Sequence, residues 1–147
     1  MRNALVGIVL AAAIACGSPA RAADVAAGKE KAELCVACHG EGGISQIENT
    51  PSLAPPKPPA DDNPDLSKKG AQAAAGRRCA SCHTDSYAGT KAVARVAGQR
   101  QDYLLKALRD YKSGVRSGGG QAAMAEVAFP LHEEEIVALA HYLANLK

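Results

Sequence analysis

The sequence predicts an all-α chain, because helical hydrophobic periodicity recurs along it and no alternating strand pattern is present. Residues 101–112 place two leucines and a tyrosine on one helical face. Residues 133–146 place an isoleucine and two leucines on one face, and the three glutamates at their start complement the helix dipole. Residues 24–34 and 66–76 are rich in alanine and lysine, so we expect helices there as well.

The first 22 residues have the organisation of a secretory signal peptide. A positively charged start is followed by thirteen largely apolar residues, Ala4 to Cys16, and by an A-x-A site that ends at Ala22. Thirteen residues are fewer than the roughly 20 that span a bilayer, so no transmembrane helix is expected in the mature chain. We therefore predict cleavage after Ala22 and export to the periplasm. Acylation of Cys16, as in a lipoprotein, is the alternative.

Residues 35–39 and 79–83 each read Cys-x-x-Cys-His, the signature of covalent haem c attachment. The two thiols of a run can each add across one vinyl group of the same haem, and the histidine is then held under the iron. Zinc or disulfides are alternatives for paired cysteines, but neither explains a histidine directly after each pair. Two covalent haem c groups are therefore predicted. The attachment residues would be Cys35, Cys38, Cys79 and Cys82, and the proximal iron ligands His39 and His83.

The composition also favours a core that depends on a cofactor. The chain has no tryptophan and a single phenylalanine, so its side chains alone would form a thin hydrophobic core. Small domains bury a small fraction of their surface and often depend on a covalent or cofactor constraint. Two haems would supply the missing apolar mass.

Positive charge is concentrated in residues 66–116, which carry eleven lysines and arginines against three aspartates. Such a basic surface would steer docking to an acidic redox partner protein, and an ordinary solvated helix surface is the alternative. Nucleic acid is not an expected partner, because an exported chain with 3% aromatic residues offers little surface for base stacking.

With its two haem runs, the chain resembles the class I c-type cytochromes, in particular the bacterial members with tandem haem modules. Residues 96–99, Val-Ala-Gly-Gln, and residues 103–106, Tyr-Leu-Leu-Lys, are similar to a motif of those proteins. The resemblance implies a class I cytochrome c fold, in which an N-terminal helix leads into the haem run and crosses a C-terminal helix. It also implies that the carbonyl of Pro51 orients a proximal histidine, and that Met124, in a loop, is a sixth iron ligand.

The resemblance and a partial internal repeat divide the chain. The interval from Cys35 to Pro51 resembles that from Cys79 to Ala94, but only the second copy continues into the middle and last helices. The second copy departs from the family pattern, with Thr84 in place of a glycine and Ala94 in place of the turn proline. The predicted parts are a signal peptide (1–22), a truncated N-terminal haem-binding module (23–54), a proline-rich linker (55–65) and a cytochrome c domain (66–147).

The candidate sixth ligands are one methionine and two histidines. Met124 is the only methionine beyond Met1, so at most one haem can receive a methionine from this chain, and we assign it to the second haem. In a competing arrangement the first helix, which carries Gly28, crosses the last helix, and Met124 serves the first haem. His132 and His141 are candidate ligands of the other iron; alternatively, His132 caps the last helix and His141 is a surface residue of it.

The expected function is single-electron transfer between redox partners in the periplasm, because a haem iron with two protein ligands has no open site. No catalytic residues are expected in such a carrier. One alternative is the haem subunit of an exported dehydrogenase. Another is a peroxidase-like or gas-binding protein, in which the first haem lacks a sixth ligand.

Overall fold

The computed structural model describes residues 24–54, 56–58 and 61–147 of the chain. The predicted signal peptide, 1–22, lies outside the described residues. The described part is helical and contains no β-strand, as the sequence predicted. Its helices are α1 (Val25–His39), α2 (Pro64–Gly76), α3 (Ala80–His83), α4 (Gln101–Lys112), α5 (Ala122–Ala128) and α6 (Glu133–Asn145), and a 3-10 turn, Glu41–Gly43, follows α1.

The core of the fold is the crossing of α2 and α6. Asn63 caps the start of α2, where its side chain accepts a hydrogen bond from the amide of Leu66 at 3.0 Å. The first residue of the helix itself is Pro64, a favoured position for proline. Gly70 is buried at the crossing, where a Cβ atom would lie 2.2 Å from the carbonyl oxygen of Ala138. Glycine therefore allows the two helices to approach at this point.

Helix α4 packs against α6, and α5 packs in turn against α4. The face of α6 that the sequence predicted to be apolar is buried, with Ile136 fully inaccessible and Leu139 only 2% exposed. The rings of Tyr87 and Tyr142 pack edge to face with centroids 6.0 Å apart. The other buried apolar residues of this core are Ala74, Ala97, Leu104, Ala128, Leu131, Ala140, Leu143 and Ala144.

Helix α1 lies apart from this core. It buries none of its residues, and its principal contacts are with the 3-10 turn that follows it. Leu34 is 88% exposed, and a Cβ atom on Gly28 would have no described atom within 4 Å apart from the backbone of its own helix and its chain neighbours. The competing arrangement, in which α1 crosses the last helix at Gly28, is therefore not the one observed, because α2 occupies that position.

Two helices differ from their predicted limits. We expected the first helix to end at residue 34, but α1 continues through both cysteines to His39. We expected Met124 in a loop, but it lies in the short helix α5. Helix α5 has only seven residues, too few for the apolar repeat that identified the longer helices to become apparent in the sequence.

Candidate haem-binding sites

The first run lies on the last turns of α1, and the chain that follows holds its histidine. Cys35 and Cys38 are exposed free thiols three residues apart, so they project from the same side of the helix. The ring Nδ1 of His39 lies 2.9 Å from the carbonyl oxygen of Pro51. A carbonyl only accepts, so Nδ1 carries the proton and donates it. In a neutral imidazole held in this way, Nε2 is the nitrogen whose lone pair can bind a metal.

The second run repeats this arrangement around α3. The ring Nδ1 of His83 donates to the carbonyl oxygen of Ala94 at 2.8 Å. The absence of a proline at residue 94 has no effect on this contact, because the main chain makes it. Cys82 is exposed, whereas Cys79 is partly buried against the core, and this burial raises the pKa of its thiol.

The two turns that hold the histidines share one pattern of backbone hydrogen bonds. In the first, the carbonyl of Gly43 accepts from the amides of residues 53 and 54, at 2.8 and 3.0 Å. In the second, the carbonyl of Tyr87 accepts from the amides of residues 96 and 97, both at 3.0 Å. The internal repeat inferred from the sequence is therefore a structural repeat of the haem run and its turn.

The residue after each histidine adopts an unusual backbone conformation. Gly40 has φ 76° and ψ 164°, and Thr84 has φ 70° and ψ 162°. This region is essentially restricted to glycine, because a Cβ atom crowds the backbone there. At Gly40 a Cβ atom would lie 2.1 Å from the carbonyl oxygen of Ile44. Thr84 therefore carries backbone strain at the second site that the first site avoids.

Met124 belongs to the same packed unit as the second run. It is half-buried in α5, which packs against α4 and ends at the fully buried Ala128. Cys79 and Ala80 pack against the hydrophobic cluster that includes Ala128. The first run, on α1, is outside that cluster.

The connection after α5 is fixed by two cations. Lys112 Nζ donates to the carbonyl oxygens of Phe129 and Leu131, at 2.9 and 2.7 Å. Arg77 donates to the carbonyl of Pro130 at 3.3 Å and pairs with Glu135 at 2.8 Å. The hydrogen bonds from Arg77 lower the pKa of Glu135. All three carbonyls of the segment Phe129–Leu131 are therefore hydrogen-bonded, which fixes the position of α5.

The two remaining histidines have different surroundings. The expectation that His141 is a surface residue is wrong, because His141 is only 4% exposed. Its Nε2 lies 3.0 Å from a carboxylate oxygen of Asp61 and its Nδ1 lies 3.3 Å from the amide oxygen of Gln101. Both ring nitrogens thus contact protein atoms. His132 is exposed at the start of α6, where its amide donates to Glu135 at 2.9 Å.

The first module touches the start of α4 through polar contacts. The amide group of Gln99 forms two hydrogen bonds with the main chain of Ser52: its Oε1 accepts from the Ser52 amide and its Nε2 donates to the Ser52 carbonyl, each at 2.9 Å. Two further bonds join Arg100 Nη1 to the carbonyl of Ser45, at 2.8 Å, and the Asn49 amide to a carboxylate oxygen of Asp102, at 2.8 Å.

The cations of segment 66–116 divide into two groups. Four of them form ion pairs within the chain, namely Arg77 with Glu135, Arg100 with Asp102, Lys106 with Asp110 and Arg109 with Glu133. The other seven form no ion pair within the described part of the chain; of these, Lys68, Lys69, Arg78 and Lys91 are exposed and form no side-chain hydrogen bond either, whereas Arg95, Lys112 and Arg116 donate hydrogen bonds to oxygens of the chain. The positive charge that a partner could meet is therefore smaller than the sequence suggested.

Comparison with known proteins identifies the family. A family model described as cytochrome c matches residues 67–147, more than half of the chain. The chain therefore belongs to the cytochrome c family. This membership confirms the predicted class of protein, an electron-transfer protein with covalently attached haem c, and the predicted absence of an enzymatic role.

Individual relatives extend the similarity to the first module. Cytochrome c4 of Azotobacter vinelandii is 26% identical over an alignment of 210 residues that covers 99% of this chain and 100% of the relative. Because this chain has only 147 residues, parts of that relative have no counterpart in it. Cytochrome c-554(548) of Halomonas halodenitrificans is 27% identical, over 84% of this chain and 98% of the relative.

Solved structures agree with the predicted fold. The crystal structure of reduced recombinant cytochrome c4 from Pseudomonas stutzeri superposes with a TM-score of 0.71 at 23% identity, covering 86% of this chain and 100% of that one. Cytochrome c4 of Acidithiobacillus ferrooxidans gives a TM-score of 0.66 at 18% identity, over 78% and 99% of the two chains. The class I cytochrome c fold is thereby confirmed. Within the described residues, no helix has both the length and the apolar character needed to span a membrane.

Some residues of the site gave little or no signal in the sequence. Gln99 belongs to the motif that carries the family resemblance, but its contact with Ser52 could not be read from it. Ser45 and Ser52 are buried polar residues, and serine in a loop gives no indication of burial. The one sequence signal for Gln99 was its place directly after Gly98 and shortly before a long helix.

Proposed function

We propose that the chain is a periplasmic carrier of single electrons with two covalently attached haems. One haem would be bound by residues 35–39 and the other by residues 79–83, with Met124 as the sixth ligand of the second. The observation that carries this proposal is that both runs end in a histidine whose Nδ1 is fixed by a main-chain carbonyl. Two independently built proximal sites are of no use to a protein that holds one haem.

The residues present fit the cofactor. The cysteines of each run are free thiols, so both are available for thioether bonds. A haem held in this way supplies an iron that alternates between the ferrous and ferric states. The carbonyls of Pro51 and Ala94 fix the histidine rings in one orientation and one tautomer. Fixed rings limit the change in ligand geometry between the two oxidation states. An electron carrier needs this, because rearrangement of the ligands would slow electron transfer.

The assignment of Met124 to the second haem rests on packing. Met124 and Cys79 belong to elements that pack on one core, whereas α1 buries none of its residues. We accordingly propose the division into a truncated first module (23–54), a linker (55–65) and a cytochrome c domain (66–147). Docking of an acidic redox partner would use the exposed cations Lys68, Lys69, Arg78 and Lys91.

The test is the intact mass of the protein after export, together with single-run variants. Wild type should carry two haems and begin near Ala23. Replacing both cysteines of either run with alanine should remove one haem and leave the other. A wild-type mass with one haem or none contradicts the two-haem proposal, and an uncleaved N-terminus contradicts export through the predicted signal peptide.

One observation favours a second candidate function, ligand binding at the first haem. The first module contains no methionine, and both ring nitrogens of His141 are engaged by Asp61 and Gln101. If the sixth position is open, ferrous protein will bind carbon monoxide at one iron near neutral pH. A low-spin spectrum at both irons and no response to carbon monoxide would leave electron transfer as the only function.

A further inference from the structure

We propose that Gln99, a residue of the second module, is a positioning residue for the proximal histidine of the first. This inference rests on the proposed function, since it takes His39 as the ligand of the first haem. Gln99 does not contact His39 itself. It acts on the turn whose carbonyl orients the ring.

The path from Gln99 to His39 is short and consists of directional contacts. The side-chain amide of Gln99 bonds both main-chain groups of Ser52, at 2.9 Å each. The preceding residue is Pro51, whose carbonyl oxygen accepts from His39 Nδ1 at 2.9 Å. Two bonds from one planar amide fix both the position and the orientation of the Ser52 peptide groups. The Pro51 carbonyl belongs to the peptide unit that contains the Ser52 amide, so Gln99 fixes the direction in which that carbonyl points.

The side chain of Gln99 is itself held in place. Its Oε1 also accepts from the amide of Arg100, at 2.9 Å, directly before α4 begins. Gly98, just before it, is buried and donates its amide to the carbonyl of Leu143 in α6 at 2.8 Å. Gln99 is therefore anchored to the core of the second module, and the turn of the first module is aligned against that core.

The contact between Gln99 and the turn of the first run has no counterpart at the turn of the second run. In the structural repeat, the amides of residues 53 and 54 correspond to those of residues 96 and 97. By the same correspondence, Ser52 matches Arg95, and Pro56 occupies the position that matches Gln99. Proline has no side-chain amide, so residue 56 makes no equivalent pair of hydrogen bonds with the turn that holds His83. That turn instead packs directly on the core through Ala97, which is 1% exposed.

This asymmetry follows from the packing of the two modules. The second module orients its histidine with its own buried core. The first module buries no residue of α1 and has no such core. Its turn therefore depends on a side chain that the other module supplies.

The experiment compares Gln99→Met with Gln101→Met in the two-haem protein. Methionine has nearly the length of glutamine and forms neither hydrogen bond. Gln101 is the matched control, because it also lies at the start of α4 but contacts His141 and not Ser52. The measurement is hydrogen exchange of the ring Nδ1 protons of His39 and His83, followed by NMR in the reduced, histidine-labelled protein.

We expect the His39 Nδ1 proton to exchange about tenfold faster in Gln99→Met, because two net hydrogen bonds are lost from the turn that accepts it. The His83 proton should be unchanged although Gln99 belongs to its module, and Gln101→Met should alter neither. The potential assigned to the first haem should shift in Gln99→Met alone. Gln99→Glu keeps the acceptor for the Ser52 amide and loses the donor, so its effect should lie between those of wild type and Gln99→Met.

The outcomes separate this inference from the proposed function. A wild-type mass without a haem on the first run overturns both. With two haems present, an unchanged His39 proton in Gln99→Met and in Gln99→Glu overturns the role of Gln99 alone. An equal change at His39 and His83 would also overturn it, since that result indicates a general loosening of the fold.

Discussion

The glycine at the α2–α6 crossing gives a direct test of how the helices are arranged. In Gly70→Ala, the new Cβ atom would lie 2.2 Å from the carbonyl oxygen of Ala138 and 2.5 Å from the Cβ of Tyr142. The first distance is about 1 Å shorter than an ordinary contact between a carbon and a carbonyl oxygen. The crowded oxygen of Ala138 belongs to the main chain of a helix and cannot rotate away. The crowding is therefore relieved only by moving one helix away from the other.

The size of the effect follows from two opposing terms. Overpacking a core of this kind costs roughly 3 kcal/mol. Alanine is favoured over glycine inside a helix by about 1 kcal/mol. The net destabilisation is then about 2 kcal/mol, which lowers the Tm of a domain of this size by roughly 8–16 °C.

Gly28→Ala is the matched control, because Gly28 also lies within a helix and ahead of a haem run. Apart from the backbone of its own helix and its chain neighbours, no described atom would lie within 4 Å of its Cβ atom, so only the gain in helix propensity remains. Thermal unfolding followed by far-UV circular dichroism should show a Tm below that of wild type for Gly70→Ala and no decrease in Tm for Gly28→Ala. If Gly28→Ala were the more damaging change, α1 rather than α2 would cross α6 and the arrangement described above would be wrong.

Three further predictions concern the sites themselves. Met124→Ala should leave both haems attached, because a thioether ligand takes no part in the covalent linkage, and should lower one potential; unchanged potentials and ferric spectrum in a potentiometric titration would exclude Met124 as a ligand. Thr84→Gly should stabilise the protein by about 1 kcal/mol in urea unfolding, because it relieves a backbone conformation at φ 70° and ψ 162° that is restricted to glycine; Gly40→Ala should have the opposite sign. Glu135 has a pKa lowered from 4.5 by its hydrogen bonds with Arg77, so its contribution to stability is complete above that pH and declines as the pH falls through the lowered pKa. Glu135→Gln should therefore be less stable than wild type at neutral pH and equal to it in strong acid, and a difference that persists in acid would mean that the ionised carboxylate is not responsible.

Covalent chemistry and helical periodicity made much of this protein predictable. The two Cys-x-x-Cys-His runs indicate their cofactor because the reaction requires two thiols and a histidine at fixed spacing. Helices α4 and α6 were located closely, since each carries an apolar face over about three turns. Local rules of this kind act within a few residues, so they are visible in the sequence.

Contacts between distant segments could not be predicted in the same way. Gly28 and Gly70 are both helical glycines ahead of a haem run, and only the structure shows which of them meets α6. His141 appeared to be a surface residue because its partner Asp61 lies 80 positions away. The sequence contains these residues but not the distances between them.

The segment that follows α1, residues 40–54, meets the start of α4 through polar contacts. Its described contacts with the start of α4 are hydrogen bonds with Gln99, Arg100 and Asp102, while Leu53 is 63% exposed. Four such bonds contribute roughly 2–6 kcal/mol together, less than a buried hydrophobic core would supply. Hydrogen bonds are directional, however, and burial is not. The proposed role of His39 as an iron ligand requires a fixed direction more than a large binding energy, and polar contacts at Ser52 and Ser45 supply direction.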